Sequence, residues 1–227
     1  HGDRIAIMLP NILQYPVAIA AAFRAGLTVV NTNPLYTPRE LEHQLKDSGA
    51  EAIVILENFC TTLQQVIART QVKHVVVASI GEMLGFPKNI IVNLVLRRVK
   101  KVVPEYSLPG HVKFVDALDQ GARGKLAPVT LGPSDVAFLQ YTGGTTGVSK
   151  GAMLTHRNIL ANLEQTGVWI SVSFEEGAEI VIAPLPMYHI FCLTSTLSFM
   201  KWGSLTVLIT NPRDLPAFVK ELRQWKF

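Results

Sequence analysis

The chain has 227 residues, 48% of them hydrophobic and 17% charged, a balance that can bury a sizeable core and excludes intrinsic disorder. Its two cysteines, Cys60 and Cys192, stand far apart with no CxxC partner. That excludes a disulfide framework and a cysteine zinc site and fits a reducing compartment, while the lack of any run of about 18 apolar residues excludes a membrane-spanning helix.

Arg4–Leu9 reads as a buried strand, and Ile12–Ala25 has helical composition with Gly26 placed to end it. Leu27–Asn31 is strand-like. Thr37-Pro38-Arg39-Glu40 offers a capping box with proline at the first helical position, and Gly49 stands beyond that helix's end. Ala52–Leu56 and Val72–Ala78 are further apolar, β-branched strands, separated by a helical Phe59–Arg69. This alternation predicts an α/β fold: a largely parallel sheet with helices on both faces.

Prolines and glycines punctuate 81–133, which reads as an insertion or connection holding one short strand, Val112–Phe114. The alternation resumes with strands at Val136–Gln140 and Gly151–Leu154. A helix is expected from Arg157 with Thr155 as its cap, then strands at Glu179–Ala183 and Leu205–Ile209 and a helix over Leu215–Trp225. The chain opens at His1-Gly2-Asp3 without an initiator methionine and stops at Phe227 without a capping or tail signal, so it is expected to be a piece of a longer protein.

The chemistry is concentrated in Tyr141-Thr142-Gly143-Gly144-Thr145-Thr146-Gly147-Val148-Ser149-Lys150-Gly151. Glycines let backbone N–H groups approach and converge on an anion. The threonines and the serine add hydroxyl donors, and Lys150 supplies a positive charge, so the loop is equipped to hold phosphate oxygens. A plain hairpin turn is the simpler reading, but the density of glycine and hydroxyl groups with a terminal lysine argues against it. A Walker A loop fails on three counts. Counting from Gly144, Ser149 stands where glycine is needed and Gly151 where the metal-binding hydroxyl is needed. A strand-like Ala152-Met153-Leu154 also follows, where a helix should begin.

This stretch, continuing through Ala152-Met153-Leu154-Thr155-His156-Arg157-Asn158, resembles the phosphate-binding signature of the adenylate-forming enzymes: acyl-CoA synthetases, luciferases and peptide-synthetase adenylation domains. Gly2-Asp3-Arg4-Ile5-Ala6-Ile7-Met8-Leu9-Pro10-Asn11 and Val30-Asn31-Thr32-Asn33-Pro34-Leu35-Tyr36-Thr37-Pro38-Arg39-Glu40-Leu41 are similar to bacterial long-chain fatty acyl-CoA synthetases. The resemblance implies part of the large N-terminal AMP-binding domain over 1–227, with ATP, Mg²⁺ and coenzyme A as cofactor and co-substrates and a fatty acid as substrate. Activation would give an acyl-adenylate and pyrophosphate, and the CoA thiol would then displace AMP. It implies side-chain contacts from Thr142, Thr145, Thr146 and Lys150, and backbone contacts from Gly143, Gly144 and Gly147. It further implies that the adenine, ribose and acidic Mg²⁺ contacts and a mobile C-terminal domain lie beyond this stretch, which alone would make no acyl-CoA.

Pro184-Leu185-Pro186-Met187-Tyr188-His189-Ile190-Phe191 resembles the family's next motif, whose histidine lies near the acyl substrate. An imidazole there could bond a carboxylate beside an apolar pocket; a core histidine bonded to backbone is the alternative. Cys192-Leu193-Thr194 follows where some relatives carry a gating tryptophan, so no gate residue is carried over. His156, beside a helix start, is assigned no chemistry.

The net charge of +4 is local. Lys88, Arg97, Arg98, Lys100 and Lys101 lie in one acid-free stretch, 88–103, and without these five the remainder stands at −1. On a helix, Ile91, Val95, Val99 and Val102 would form one stripe with Val92, Leu96 and Val103 adjacent, and Arg97, Lys100 and Lys101 opposite. Such a segment either lies on an anionic membrane or packs on the protein's own core with its basic face in water. The aliphatic stripe, without interleaved aromatics, argues against nucleic acid. The expected compartment is the cytoplasm, with peripheral contact at the inner membrane face as the membrane reading. Medium-chain or aryl acids, and a truncated non-catalytic nucleotide- or lipid-binding module, are the alternative functions.

Overall fold

A computed structural model of the chain describes residues 1–142 and 149–227. In chain order the elements are β1 (Arg4–Met8), α1 (Gln14–Arg24), β2 (Thr28–Asn31), α2 (Pro38–Ser48), β3 (Ala52–Leu56), α3 (Cys60–Gln64), β4 (His74–Ala78), α4 (Lys88–Leu94), β5 (Val112–Lys113) and α5 (Phe114–Arg123). There follow β6 (Val136–Thr142), β7 (Lys150–Thr155), α6 (His156–Ile170), β8 (Ile180–Ala183), α7 (Ile190–Lys201), β9 (Leu205–Leu208) and α8 (Leu215–Leu222). Among the described residues, seven strands form one sheet in the order β5-β4-β3-β1-β2-β6-β7, and β8 pairs with β9 in a second. Every pairing is parallel except β6 with β7.

The near-continuous apolar strands bury both faces, as side chains alternating at period two require. Ile7, Val29, Val54, Leu56 and Phe138 point into one core with Tyr15, Ile19 and Ala22 of α1, Ile159 and Leu163 of α6, and Leu193 of α7. Ala6, Met8, Val30, Ile53, Ile55 and Leu139 point into the other, against Leu41 and Leu45 of α2 and Leu63 of α3. The α/β expectation is met, and β3 begins and ends where the apolar run does. Thr37 and Glu40 form the expected capping box, and Gly49 closes α2 in the left-handed region at φ 64°.

Several local expectations are corrected. The helix expected over Phe59–Arg69 is broken into a 3₁₀ turn at Glu57–Phe59, the short α3 and a second 3₁₀ turn at Ile67–Arg69. Val66 leaves helical backbone (φ −124°) with its side chain buried, so packing overrides helix continuity in a β-branched stretch. The strand expected over Val112–Phe114 ends at Lys113, and buried Phe114 begins α5 instead. Helix α7 has no counterpart among the elements expected from the sequence. Small hydroxyl residues, Thr194, Ser195, Thr196 and Ser198, are interspersed among its apolar ones, so the contrast between its faces is weak. The segment 88–103 forms α4 followed by a π-helical turn at Val95–Val99, so its side chains do not sort as a regular helix would place them. No helix among the described residues is long and apolar enough to cross a membrane.

Candidate functional site

The carboxyl ends of β1, β3, β4, β8 and β9 open on one side of the molecule. In open α/β sheets this is the edge where ligands bind. A cleft of about 350 Å³ lies there, lined among others by Asn11, Leu35, Phe59, Tyr188, Thr210 and Arg213. Its lining is largely apolar, and Arg213 is its one charged residue among those described.

Asn11, just past β1, clasps the two sheets together. Its side-chain amide donates to the carbonyls of Ala183 (2.9 Å) and Leu185 (2.7 Å), and its Oδ1 accepts from the Met187 amide at 2.8 Å. Its own carbonyl accepts from the Thr210 hydroxyl at 2.9 Å. The buried asparagine therefore fixes the backbone that leads from β8 into the Tyr188-His189 turn.

The glycine-rich segment sits on the sheet's single antiparallel pair. Register pairs Tyr141 with Gly151 and Thr142 with Lys150, so the chain leaves β6 and re-enters β7 at nearly the same point. The Ser149 hydroxyl donates to the Thr142 carbonyl at 2.7 Å across that base, and His43 of α2 lies 3.1 Å from the Ser149 carbonyl through Nε2. Tyr141 donates to Asp47 Oδ2 at 2.5 Å; burial first, and the Asp47 carboxylate second, hold its phenol well above the usual range. Of the sequence-predicted loop residues, Tyr141, Thr142, Ser149, Lys150 and Gly151 are placed in this way. Gly143, Gly144, Thr145, Thr146, Gly147 and Val148 lie outside the described residues.

A buried polar chain joins this base to the second motif. Tyr15 donates to Asn31 Oδ1 (2.9 Å), Asn31 Nδ2 to Gln140 Oε1 (3.0 Å), and Gln140 Nε2 to the carbonyl of Tyr188 (2.7 Å). Gln140 precedes Tyr141 and Tyr188 precedes His189, so the structure brings the bases of the two predicted motifs together. His189 itself is exposed at the N-cap of α7, where Nδ1 accepts a long 3.4 Å bond from the Phe191 amide. It is no core histidine. Leu185 and Phe191, close in sequence, are exposed apolar side chains.

Sequence reasoning did not single out Asn11, Gln140, His43 or Asp47. Gln140 left a readable signal, a lone amide closing an apolar strand run of Val136–Leu139. The others act across the fold and left none.

The family described as "AMP-binding enzyme" matches residues 1–227. The long-chain-fatty-acid–CoA ligase of Escherichia coli O6:H1 is 54% identical over all 227 residues, which span 40% of that protein. The crystal structure of a long-chain-fatty-acid–CoA ligase (FadD1) from Archaeoglobus fulgidus superposes with a TM-score of 0.65 at 26% identity, covering 92% of this chain and 36% of that one. The apo structure of Mycobacterium smegmatis MbtA superposes with a TM-score of 0.76 over 98% of this chain and 37% of that one; at 23% identity it speaks for the fold alone. The chain thus spans about 40% of the length of the curated relative it matches, and over the whole of its own length it belongs to the AMP-binding enzyme family.

Proposed function

We propose that this chain is the phosphate-binding part of an ATP-dependent long-chain fatty acid–CoA ligase. The carrying observation is the identity of 54% to a long-chain-fatty-acid–CoA ligase over every residue, the loop included. The fatty carboxylate attacks the α-phosphorus of ATP, the bond to the pyrophosphate oxygen breaks, and an acyl-adenylate remains. The CoA thiol then displaces AMP and loses its proton. In this reading the 141–151 segment binds the β- and γ-phosphates. Thr142 and Lys150 are backbone register partners at its base, and their hydroxyl and ammonium would meet the negative charge that develops on the departing pyrophosphate. Thr145, Thr146 and the backbone of Gly143, Gly144 and Gly147 complete the cradle.

His189 follows Tyr188, which lines the cleft, and is the proposed contact to the acyl carboxylate, with the exposed apolar Leu185 and Phe191 close in sequence. Among the described residues no three His, Cys, Asp or Glu side chains converge on a metal site. A Mg²⁺ bound with the nucleotide would supply further positive charge to the phosphates that the 141–151 segment is proposed to hold. The compartment proposed is the cytoplasm, with access to acyl substrate at the membrane face through 88–103.

The test is pyrophosphate release by the full-length protein with ATP, CoA and a panel of acids. Long-chain acids should give the highest kcat/KM, and Lys150→Ala should lower it roughly hundredfold. A protein that releases pyrophosphate only with aryl or short acids, or with none, would overturn the reading.

A further inference from the structure

In an isolated regular helix, 88–103 would present aliphatic residues on one side and basic residues on the other. The fold sorts them differently. Arg97 turns inward and donates to the nearly buried Glu57 carboxylate at 2.6 Å and to the Ser79 hydroxyl at 3.1 Å. Asn93, one helical turn earlier, accepts from the Gly81 amide at 2.9 Å. These two polar anchors fix which side of α4 meets the protein, and Val92, Val95 and Leu96 are half-buried beneath them.

The outward side is consequently apolar. Phe86 is 84% exposed, Ile90, Ile91 and Leu94 are each more than half exposed, and Val99 is 72% exposed. The π-helical turn over Val95–Val99 turns less per residue than an α-helix, which keeps Val99 on the side of Leu94. Around this ridge stand the exposed cations Lys88, Arg98, Lys100 and Lys101, with no acid between 88 and 103. The nearest acidic partners on the packed side, Glu57 and Glu82, are engaged inward by Arg97 and by Gln14.

We infer that this ridge is a docking surface for an anionic phospholipid bilayer. Large aliphatic and aromatic side chains with a cationic border are the composition that buries into the headgroup–acyl boundary of such a surface. A second copy of the chain fits it less well. A two-fold contact would bring two copies of the same cationic border together. The ridge's five large apolar side chains are also few beside the roughly 20–30 residues a side of a stable interface. The inference deepens the membrane side of the proposed function, yet it needs neither ATP nor an acyl substrate to be tested.

The experiment is co-sedimentation of the full-length protein with vesicles of phosphatidylglycerol and phosphatidylethanolamine, and with phosphatidylcholine alone, in the absence of nucleotide and fatty acid. Binding is expected only to the anionic vesicles and should weaken in high salt. Ile91→Ser with Leu94→Ser, and separately Arg98→Glu with Lys100→Glu and Lys101→Glu, should each lower the partition coefficient about tenfold or more. Lys220→Glu on α8, which is exposed on another element, should leave it unchanged. Leu94→Trp should be quenched by brominated acyl chains. Wild-type protein that ignores anionic vesicles, variants that bind as well as wild type, or an unquenched Leu94→Trp would each overturn the inference. So would a dimer that Ile91→Ser with Leu94→Ser dissolves. Ligase activity that survives loss of binding would leave the function intact, and binding without ligase activity would leave the surface intact.

Discussion

Gly151 lies directly against the ring of Tyr141: a methyl group at Gly151 would stand 2.8 Å from the Tyr141 Cε2, inside any tolerable contact. The two are register partners across β6 and β7, and the ring's position is fixed by its bond to Asp47. Gly151→Ala should therefore displace Tyr141 and cost about 1–3 kcal/mol in urea unfolding. Combined with Tyr141→Ala, which vacates the space, the second substitution should cost much less than it does alone. Additive costs would show that the ring is not what makes the glycine necessary.

Asn11→Ala removes three side-chain hydrogen bonds at once and leaves the Leu185 carbonyl and the Met187 amide short of partners, while the Ala183 carbonyl keeps the Ile209 amide. A loss of about 3 kcal/mol or more is expected, since each unsatisfied buried group costs roughly 1–3 kcal/mol. Asn11→Asp should be similarly harmful, because it keeps the acceptor and removes both donations. Chemical denaturation of the full-length protein measures this, and a loss below about 1 kcal/mol would show that water replaces the clasp.

Arg97→Ala leaves the Glu57 carboxylate, only 3% exposed at its side chain, without its cation. Removing one partner of a buried pair is far more damaging than removing both. With Arg97 itself half exposed, a cost of about 2–3 kcal/mol is expected, toward the lower end for such pairs. Glu57→Gln with Arg97→Ala should recover part of it.

Acid should weaken the surface ion pairs of α2. The Glu42 carboxylate is held down to about 2, first by hydrogen bonds from Arg69 and Lys46. Its folded value lies below the ordinary 4.5, so its contribution is present above pH 4.5 and is lost as pH falls toward 2. Melting temperatures of wild type and Glu42→Gln should differ slightly at neutral pH and converge over that window. The group is exposed, so salt should shrink the difference at every pH.

Both thiols should be silent in the folded protein. Cys60 is pushed up to about 12 by burial and by the Glu57 carboxylate, and burial likewise raises Cys192. At pH 8 the Cys60 thiolate would be about one part in ten thousand. Labelling of either cysteine by iodoacetamide should track global unfolding, and rapid labelling at Cys60 under native conditions would contradict its burial.

The sheet was legible because its strands are short unbroken apolar runs bounded by glycine, proline and caps. Thr155, read as a cap, is one: it accepts from the Asn158 amide in a capping box, and only the helix start shifts from Arg157 to His156. What could not be read depended on partners distant in sequence. Nothing local marks Arg97 as facing inward, because its reason lies forty residues earlier in Glu57. Helix α7 mixes small hydroxyl residues with apolar ones, so its period is faint. The glycines and hydroxyls of 141–151 stand out in the sequence itself, whereas Asn11 drew notice only as the last residue of a resembling segment.

The clasp at Asn11 also determines what kind of change can retune the cleft. One carboxamide ties strand ends of the two sheets through backbone carbonyls and an amide, so the distance between the cleft's walls is set by main-chain atoms. Substitutions at Leu35, Phe59 or Tyr188 would then reshape the space for a ligand while the walls stay where they are. The cleft's shape is accordingly open to change one lining residue at a time, and the frame that holds the loop's base and the His189 turn together need not move.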